Sequence, residues 1–465
     1  MLEIFWGKAG MKRSQYNFSV PYPPTGETLL FNALTGAFSA IEANSYQRIE
    51  KLLAHPESKN NPISLTKYLL DQGFLIADEC NEIDLIEKRN RLGIQDSNRL
   101  DVIVMPNMNC NLSCVYCYET HDQNYMSEET ASRLSAWLEK LVPHYKSVLL
   151  SWFGGEPLLS YNILTNLQSF VRDLCREQDI QFSSHITTNG FALTPDKASR
   201  LIDLDLHSYQ ITLDGPPDVH NAMRPRNNSR GTFKQIYRNV CDLVNANDLA
   251  NVKLRINYDA SNIDRVSELL TLFPVALRGQ INIVLERIFG EEFSNYSDNG
   301  NLSVKVESIY QMARNLGYIV TMDSLSSKRY TYCYADRLSQ YVVNFNGDIF
   351  KCTVDKFKSS DRLGYLNSLG EISWEDERIS DWHEVASFES KCYECKFLPM
   401  CMGGCRKVRA KEGTVGDSCK LPFGGFERRL QQRYAQERGD ILEEVPEAFE
   451  VSGKNQIPVV LLNSK

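Results

Sequence analysis

Residues 100–117 read Leu-Asp-Val-Ile-Val-Met-Pro-Asn-Met-Asn-Cys-Asn-Leu-Ser-Cys-Val-Tyr-Cys, an apolar run that passes directly into a loop with cysteines at 110, 114 and 117. Leu100 to Met105 has the apolar, β-branched character of a buried strand. Three thiolates on so tight a loop can bind three irons of a four-iron cluster, which ordinarily takes four cysteines, so one iron is left open. The competing reading of the spacing is a zinc site. Such sites are usually closed by a fourth ligand at short spacing, and none lies close in sequence.

Outward from this loop, residues 99–290 alternate short β-rich runs with helical patterns, the order of repeated βα units around a parallel sheet. Six strands are expected: Leu100 to Met105, Val148 to Phe153, Phe182 to Thr187, Ser208 to Leu213, Val252 to Tyr258 and Ile281 to Arg287. Between the first two, Ser127 to Leu141 reads as a helix with Ser127 as its N-cap and Glu128 and Glu129 suited to the helix dipole. The polar and glycine-rich strings follow the strands: MNCNLSCVYC, then GGEP, TNG and DGPP. In βα barrels the loops after the strands converge on one face, so these strings are expected to meet at one site on a curved parallel barrel.

The flanks differ. Residues 1–95 carry hairpin-like runs, YNFSV and ETLLFNAL, then helical patterns near Ser45 to Ala54 and Leu65 to Gln72, and GFLIAD, the mark of a small separate unit. Residues 326–425 hold seven of the thirteen cysteines: Cys333, Cys352, Cys392, Cys395, Cys401, Cys405 and Cys419. With little long-range periodicity there, ligation rather than a large apolar core is expected to order the segment. A pair of zinc ribbons is the competing reading. Cys80, Cys175 and Cys241 lie in helical or apolar contexts and read as core cysteines. Residues 426–465 begin as a charged helical pattern that reads as a solvated surface helix.

CxxxCxxC with an aromatic before its last cysteine, followed by GGEP, resembles the radical S-adenosylmethionine (SAM) enzymes over roughly residues 99–290. The dense second cysteine set resembles the SPASM domain attached to radical enzymes that modify peptides. The resemblance implies an α/β fold: a partial (β/α)6 TIM-like barrel (residues 96–325) with a small N-terminal α+β, winged-helix-like domain (1–95) and a C-terminal iron-sulfur SPASM domain (326–425). It implies a cluster on Cys110, Cys114 and Cys117, an open iron that chelates S-adenosylmethionine, and cleavage of the sulfonium to a 5'-deoxyadenosyl radical. Tyr116 would then lie against the adenine, and Gly154, Gly155, Glu156 and Pro157 would hold the methionine ammonium. Asn189, Thr212, Asp214, Arg255 and Asn257 would line the ribose and carboxylate. Cys392, Cys395, Cys401 and Cys419 would hold a distal auxiliary cluster, with Cys333, Cys352 and Cys405 on a proximal one that lacks an obvious fourth thiolate.

By the same resemblance the chain is expected to act on a ribosomal precursor peptide and to close a thioether, carbon-carbon or carbon-oxygen crosslink. A reductant such as flavodoxin or ferredoxin would serve it, and residues 1–95 could capture a leader peptide by strand addition. A nearby alternative is an anaerobic sulfatase maturase, where the resemblance calls for an aspartate after the cysteine of GxxxxC; here Thr353 follows Cys352. A third reading, a non-enzymatic zinc or electron-transfer protein, leaves GGEP beside the open triplet unexplained. A net charge of -8 argues against a broad grip on nucleic acid or anionic membrane. No apolar run approaches the roughly 20 residues of a spanning helix, and the N-terminus lacks an export pattern, so a cytoplasmic location is expected.

Overall fold

The computed structural model describes residues 10–121, 124–226, 231–288, 301–321, 329–375, 377–379, 382, 388–413 and 425–438. They divide into two compact units, one drawn from residues 1–94, 323–333 and 386–465, the other from 95–322 and 334–385.

In the first unit, β1 (Met11–Arg13) pairs antiparallel with β5 (Leu75–Ala77), and β2 (Asn17–Tyr22), β3 (Glu27–Asn32) and β4 (Phe38–Ile41) form a three-stranded antiparallel sheet. All six residues of β3 are buried, because its alternating side chains serve two cores. Leu30 packs with Ile49, Leu52, Leu69 and Phe74 on one side. Leu29 and Phe31 face the other, with Leu398, Met400, Phe426, Leu430 and Tyr434. The helix Phe426–Arg438 therefore corrects the solvated reading of its charged sequence: Phe426, Leu430 and Tyr434, four residues apart, form a buried stripe. The charges that dominate the composition occupy the remaining faces.

The second unit is built on a ten-stranded sheet. Six strands, β6 (Arg99–Val104), β7 (Ser147–Trp152), β8 (Gln181–Thr188), β9 (Ser208–Thr212), β10 (Asn251–Tyr258) and β11 (Ile281–Arg287), lie side by side in sequence order, all parallel. Each lies within a residue of its expected bounds. β12 (Gln340–Val343) extends the sheet parallel to β6, and β13 (Asp348–Phe350), β14 (Gly364–Leu366) and β15 (Ile372–Trp374) continue it antiparallel. The result is an α/β fold with a mostly parallel sheet. The helix expected at Ser127 to Leu141 is present as Glu128–Leu141, and the Ser127 hydroxyl accepts from the Thr130 amide.

Along β10, Val252, Leu254 and Ile256 are in the core, while Lys253, Arg255 and Asn257 alternate with them on the opposite face. Among the described residues no helix is long and apolar enough to cross a membrane.

Candidate functional site

The loop after β6 is fastened from two sides. On one side stands the Gly154-Gly155-Glu156-Pro157 turn after β7. The Gly155 amide donates to Asn107 O at 3.3 Å and the Glu156 amide to Asn109 O at 2.8 Å. A Cβ at Gly155 would lie 2.2 Å from Asn109 O, and one at Gly154, whose φ is +109°, would lie 2.5 Å from Asn107 O. The glycines are there because two backbones touch. On the other side, Ser113 and Val115 donate to Pro225 O (2.8 Å) and Met223 O (3.0 Å).

Glu156 is fully buried and accepts from the Leu158 amide (3.1 Å), the Thr188 hydroxyl (2.6 Å) and the Asn189 amide (2.7 Å). Burial pushes its carboxyl up, and these hydrogen bonds pull it back. All three partners donate, so the ionised form is the one the site accommodates. Glu156 thus ties the β7 loop to the β8 loop, and Pro157 begins the short 3-10 turn, Pro157–Ser160, that it caps. Asn189 reaches back to the cysteine loop, donating to Asn111 Oδ1 at 2.7 Å and standing 3.8 Å from Cys110 Sγ.

The Tyr116 hydroxyl is the hub of a second network. It donates to Asp214 Oδ2 and accepts from Arg224 (2.6 Å) and Asn257 Nδ2 (3.0 Å). Asp214 also accepts from the Asn257 amide at 2.8 Å, with the Arg224 guanidinium 3.9 Å away. Arg255 donates to Asn257 Oδ1 at 2.8 Å. Thr212, buried at the end of β9, is the register partner of Arg255. Sequence reasoning missed Arg224. It is 8% exposed, and its Nε is buried without a hydrogen-bond partner. The sequence signal that could have found it is a basic residue ten positions past Asp214, across a helix of known register. His220 supports it: the Asp214 amide donates to His220 Nδ1 (3.3 Å), Nε2 lies 3.1 Å from Thr232 Oγ1, and that hydroxyl donates to Arg224 O at 2.9 Å. Burial pushes the His220 imidazole down to about 3.

Burial also pushes the Cys110 thiol up to about 12 and the Cys117 thiol up to about 11, and raises Cys114. Each of Cys110 and Cys117 feels the charge of Cys114. Unmetallated they hold their protons at neutral pH, and metal takes the proton's place. Among the described residues no three His, Cys, Asp or Glu side chains could grip a single ion. A thiol triplet on one loop, with a buried guanidinium beside it, fits a cluster in which each iron takes one thiolate.

The remaining cysteines fall in both units. In the first, Cys392 and Cys395 form one turn, Cys395 N donating to Cys392 O at 3.0 Å. The charges of Cys333, Cys401 and Cys405 all act on the Tyr332 phenol. Left-handed backbone at Met402, Gly403 and Gly404 separates Cys401 from Cys405. Cys352 belongs to the second unit, and Cys419 lies outside the described residues. Cys175 is buried and Cys241 half-buried in the core of the second unit. Cys80 is half-buried.

Residues 104–256 match the radical SAM superfamily. The radical SAM cyclopropyl synthase TigE of Paramaledivibacter caminithermalis is 24% identical over 393 residues, 74% of this chain and 77% of its own. A cysteine-type anaerobic sulfatase-maturating enzyme of Clostridium perfringens is 23% identical over 364 residues, 67% of this chain and 90% of its own. The crystal structure of Streptococcus suis SuiB bound to precursor peptide SuiA shares the fold with a TM-score of 0.51 at 15% identity, over 87% of this chain and 98% of that one. Residues 104–256 thus form a radical SAM domain, in a chain similar to maturases of ribosomal peptides and of sulfatases.

Proposed function

We propose that this chain is a peptide maturase that installs a thioether, carbon-carbon or carbon-oxygen crosslink in a ribosomal precursor peptide. The observation that carries the reading is the convergence of the cysteine triplet, the GGEP turn and the Tyr116 network at the ends of parallel strands, in a chain whose fold spans nearly all of a peptide-bound relative. A four-iron cluster with S-adenosylmethionine supplies a 5'-deoxyadenosyl radical, chemistry that no side chain offers.

The chain's own residues bind and orient. Cys110, Cys114 and Cys117 hold the cluster. The backbone of Gly154 and Gly155 brings the turn up against the cluster loop, where a ligand ammonium meets the Glu156 side of the site. Tyr116, Asn189, Thr212, Asp214, Arg255 and Asn257 form the remaining wall, with Asp214 and Asn257 fixing the Tyr116 ring through its hydroxyl. Auxiliary clusters on Cys392, Cys395, Cys401 and Cys419, and on Cys333, Cys352 and Cys405, complete the assignment. A flavodoxin or ferredoxin in the cytoplasm is the reductant. Within residues 1–95, β2 and β4 are the edges of their sheet, the kind of element that takes up a peptide by strand addition.

The sulfatase-maturase reading is second. Thr353 stands where that resemblance calls for an aspartate. Its hydroxyl is 2.8 Å from Tyr334 Oη and its amide donates to the same atom at 3.2 Å, so the position is engaged in structure and offers no carboxylate base.

The test is iron and acid-labile sulfide content after anaerobic purification, together with 5'-deoxyadenosine formation on reduction. About twelve irons per chain are expected for three four-iron clusters. Changing Cys110, Cys114 and Cys117 to Ala abolishes 5'-deoxyadenosine; its persistence would show that the active cluster lies elsewhere.

A further inference from the structure

Ser113 and Val115 flank Cys114, and their amides donate to the carbonyls of Pro225 and Met223, which flank Arg224. The two segments therefore run antiparallel with Cys114 directly opposite Arg224. They are a pair of the kind that makes no backbone bonds to each other, whose side chains lie closest and on the same face. The Arg224 side chain is correspondingly placed: one terminal nitrogen is held by the Tyr116 hydroxyl, Asp214 lies on its flank at 3.9 Å, and the Cys114 sulfur acts on its charge. The other buried ionised groups in reach are carboxylates, Glu156 and Asp214. Arg224 is thus a buried cation built into the wall of the cluster loop, and its Nε has no hydrogen-bond partner among the described residues.

We infer that Arg224 is the charge partner of the radical-forming cluster, stabilising its reduced state electrostatically. The step concerned is simple: the cluster takes one electron from a low-potential donor, no proton moves, and one negative charge is added beside the guanidinium. In a buried site of low dielectric a fixed cation favours the more negative state, and Asp214 disfavours it. The inference rests on the cluster assignment of Cys110, Cys114 and Cys117 but not on the identity of the peptide.

The test is a redox titration of the anaerobically purified holoenzyme, poised with titanium(III) citrate and read by electron paramagnetic resonance. The relevant cluster is identified as the signal that changes when S-adenosylmethionine is added. Arg224→Met is expected to lower its midpoint potential by at least about 60 mV, a tenfold change in a one-electron equilibrium. Arg224→Lys, which keeps the charge and gives up the fork geometry, is expected to stay closer to wild type than to Arg224→Met. Asp214→Asn is expected to move the potential upward. A purely structural role for Arg224 predicts no such ordering. Potentials of Arg224→Met and Arg224→Lys that both match wild type overturn the inference. If Arg224→Met fails to assemble the cluster, Asp214→Asn decides, and an unchanged or lowered potential there overturns it. Absence of iron at the triplet would instead sink the cluster assignment itself.

Discussion

Gly155→Ala tests the geometry on which the site depends. The added methyl would stand 2.2 Å from Asn109 O, 2.6 Å from Asn109 C and 2.8 Å from Met108 C. All three are backbone atoms, so no side chain can swing aside; the two loops must part by about 1 Å to restore ordinary contact. The Glu156 amide bond to Asn109 O, 2.8 Å long, is then stretched or lost at about 1 kcal/mol. Overpacking adds about 1–3 kcal/mol. A fall in Tm of roughly 5–10 °C follows for a unit of this size. The functional effect is larger, because Asn109 adjoins Cys110 and a 1 Å misplacement of reacting groups costs on the order of 100-fold. The assay is 5'-deoxyadenosine formation by the anaerobically purified variant, with thermal unfolding followed by circular dichroism. Gly279→Ala is the control: Gly279 has φ -65° and a Cβ there meets nothing within 4 Å, so it is expected to be within about 0.5 kcal/mol of wild type. A Gly155→Ala enzyme with wild-type rate and Tm would refute the close packing of the two loops.

Two further outcomes follow from buried polar groups. Glu156→Gln keeps the shape but turns an amide donor toward a ring of donors, so a loss of about 1–3 kcal/mol is expected in thermal unfolding, with weaker 5'-deoxyadenosine formation; an unaffected variant would mean that these three bonds do not hold the loops. Burial pushes His185 down to about 4 and His220 down to about 3, from 6.5. The unfolded chain takes up protons below pH 6.5 that the folded one refuses, so stability is complete above 6.5 and each imidazole removes about 1.4 kcal/mol per pH unit as pH falls toward its folded value. Between pH 6 and 4.5, His185→Gln should show a shallower decline in denaturant stability than wild type, and an identical slope would contradict the burial of that imidazole.

The parallel strands were legible because two signals agree: all are apolar, β-branched runs of five to eight residues, and the first four are followed by a polar or glycine-rich string. The Ser127 cap was legible for the same reason, a local rule obeyed locally. The helix Phe426–Arg438 was not, because three apolar side chains at positions 426, 430 and 434 are outnumbered by charged ones, two of which, Arg433 over Phe38 and Arg438 beside Glu27, rim the same contact. Composition averages around a helix, whereas packing uses one stripe of it. Arg224 escaped for a different reason. Its significance comes from a short antiparallel pairing with residues 113–115, more than a hundred positions away, and its spacing from Asp214 alone does not mark it as buried.

The same distinction explains how Glu156 and Asp214 can stand fully buried. A carboxylate taken from water costs several kcal/mol unless its oxygens are satisfied, and each has been given donors from loops that follow different strands: Leu158, Thr188 and Asn189 for the first, Tyr116 and Asn257 for the second. Against these two carboxylates the wall sets two guanidiniums, the buried Arg224 and the half-buried Arg255, so its formal charges cancel before any thiolate is counted. The balance is local as well as total: Arg224 stands beside Asp214, and Arg255 donates to Asn257, which itself donates to Asp214. Removing the Arg224 guanidinium would therefore leave a buried carboxylate uncompensated, at a cost of about 3–5 kcal/mol.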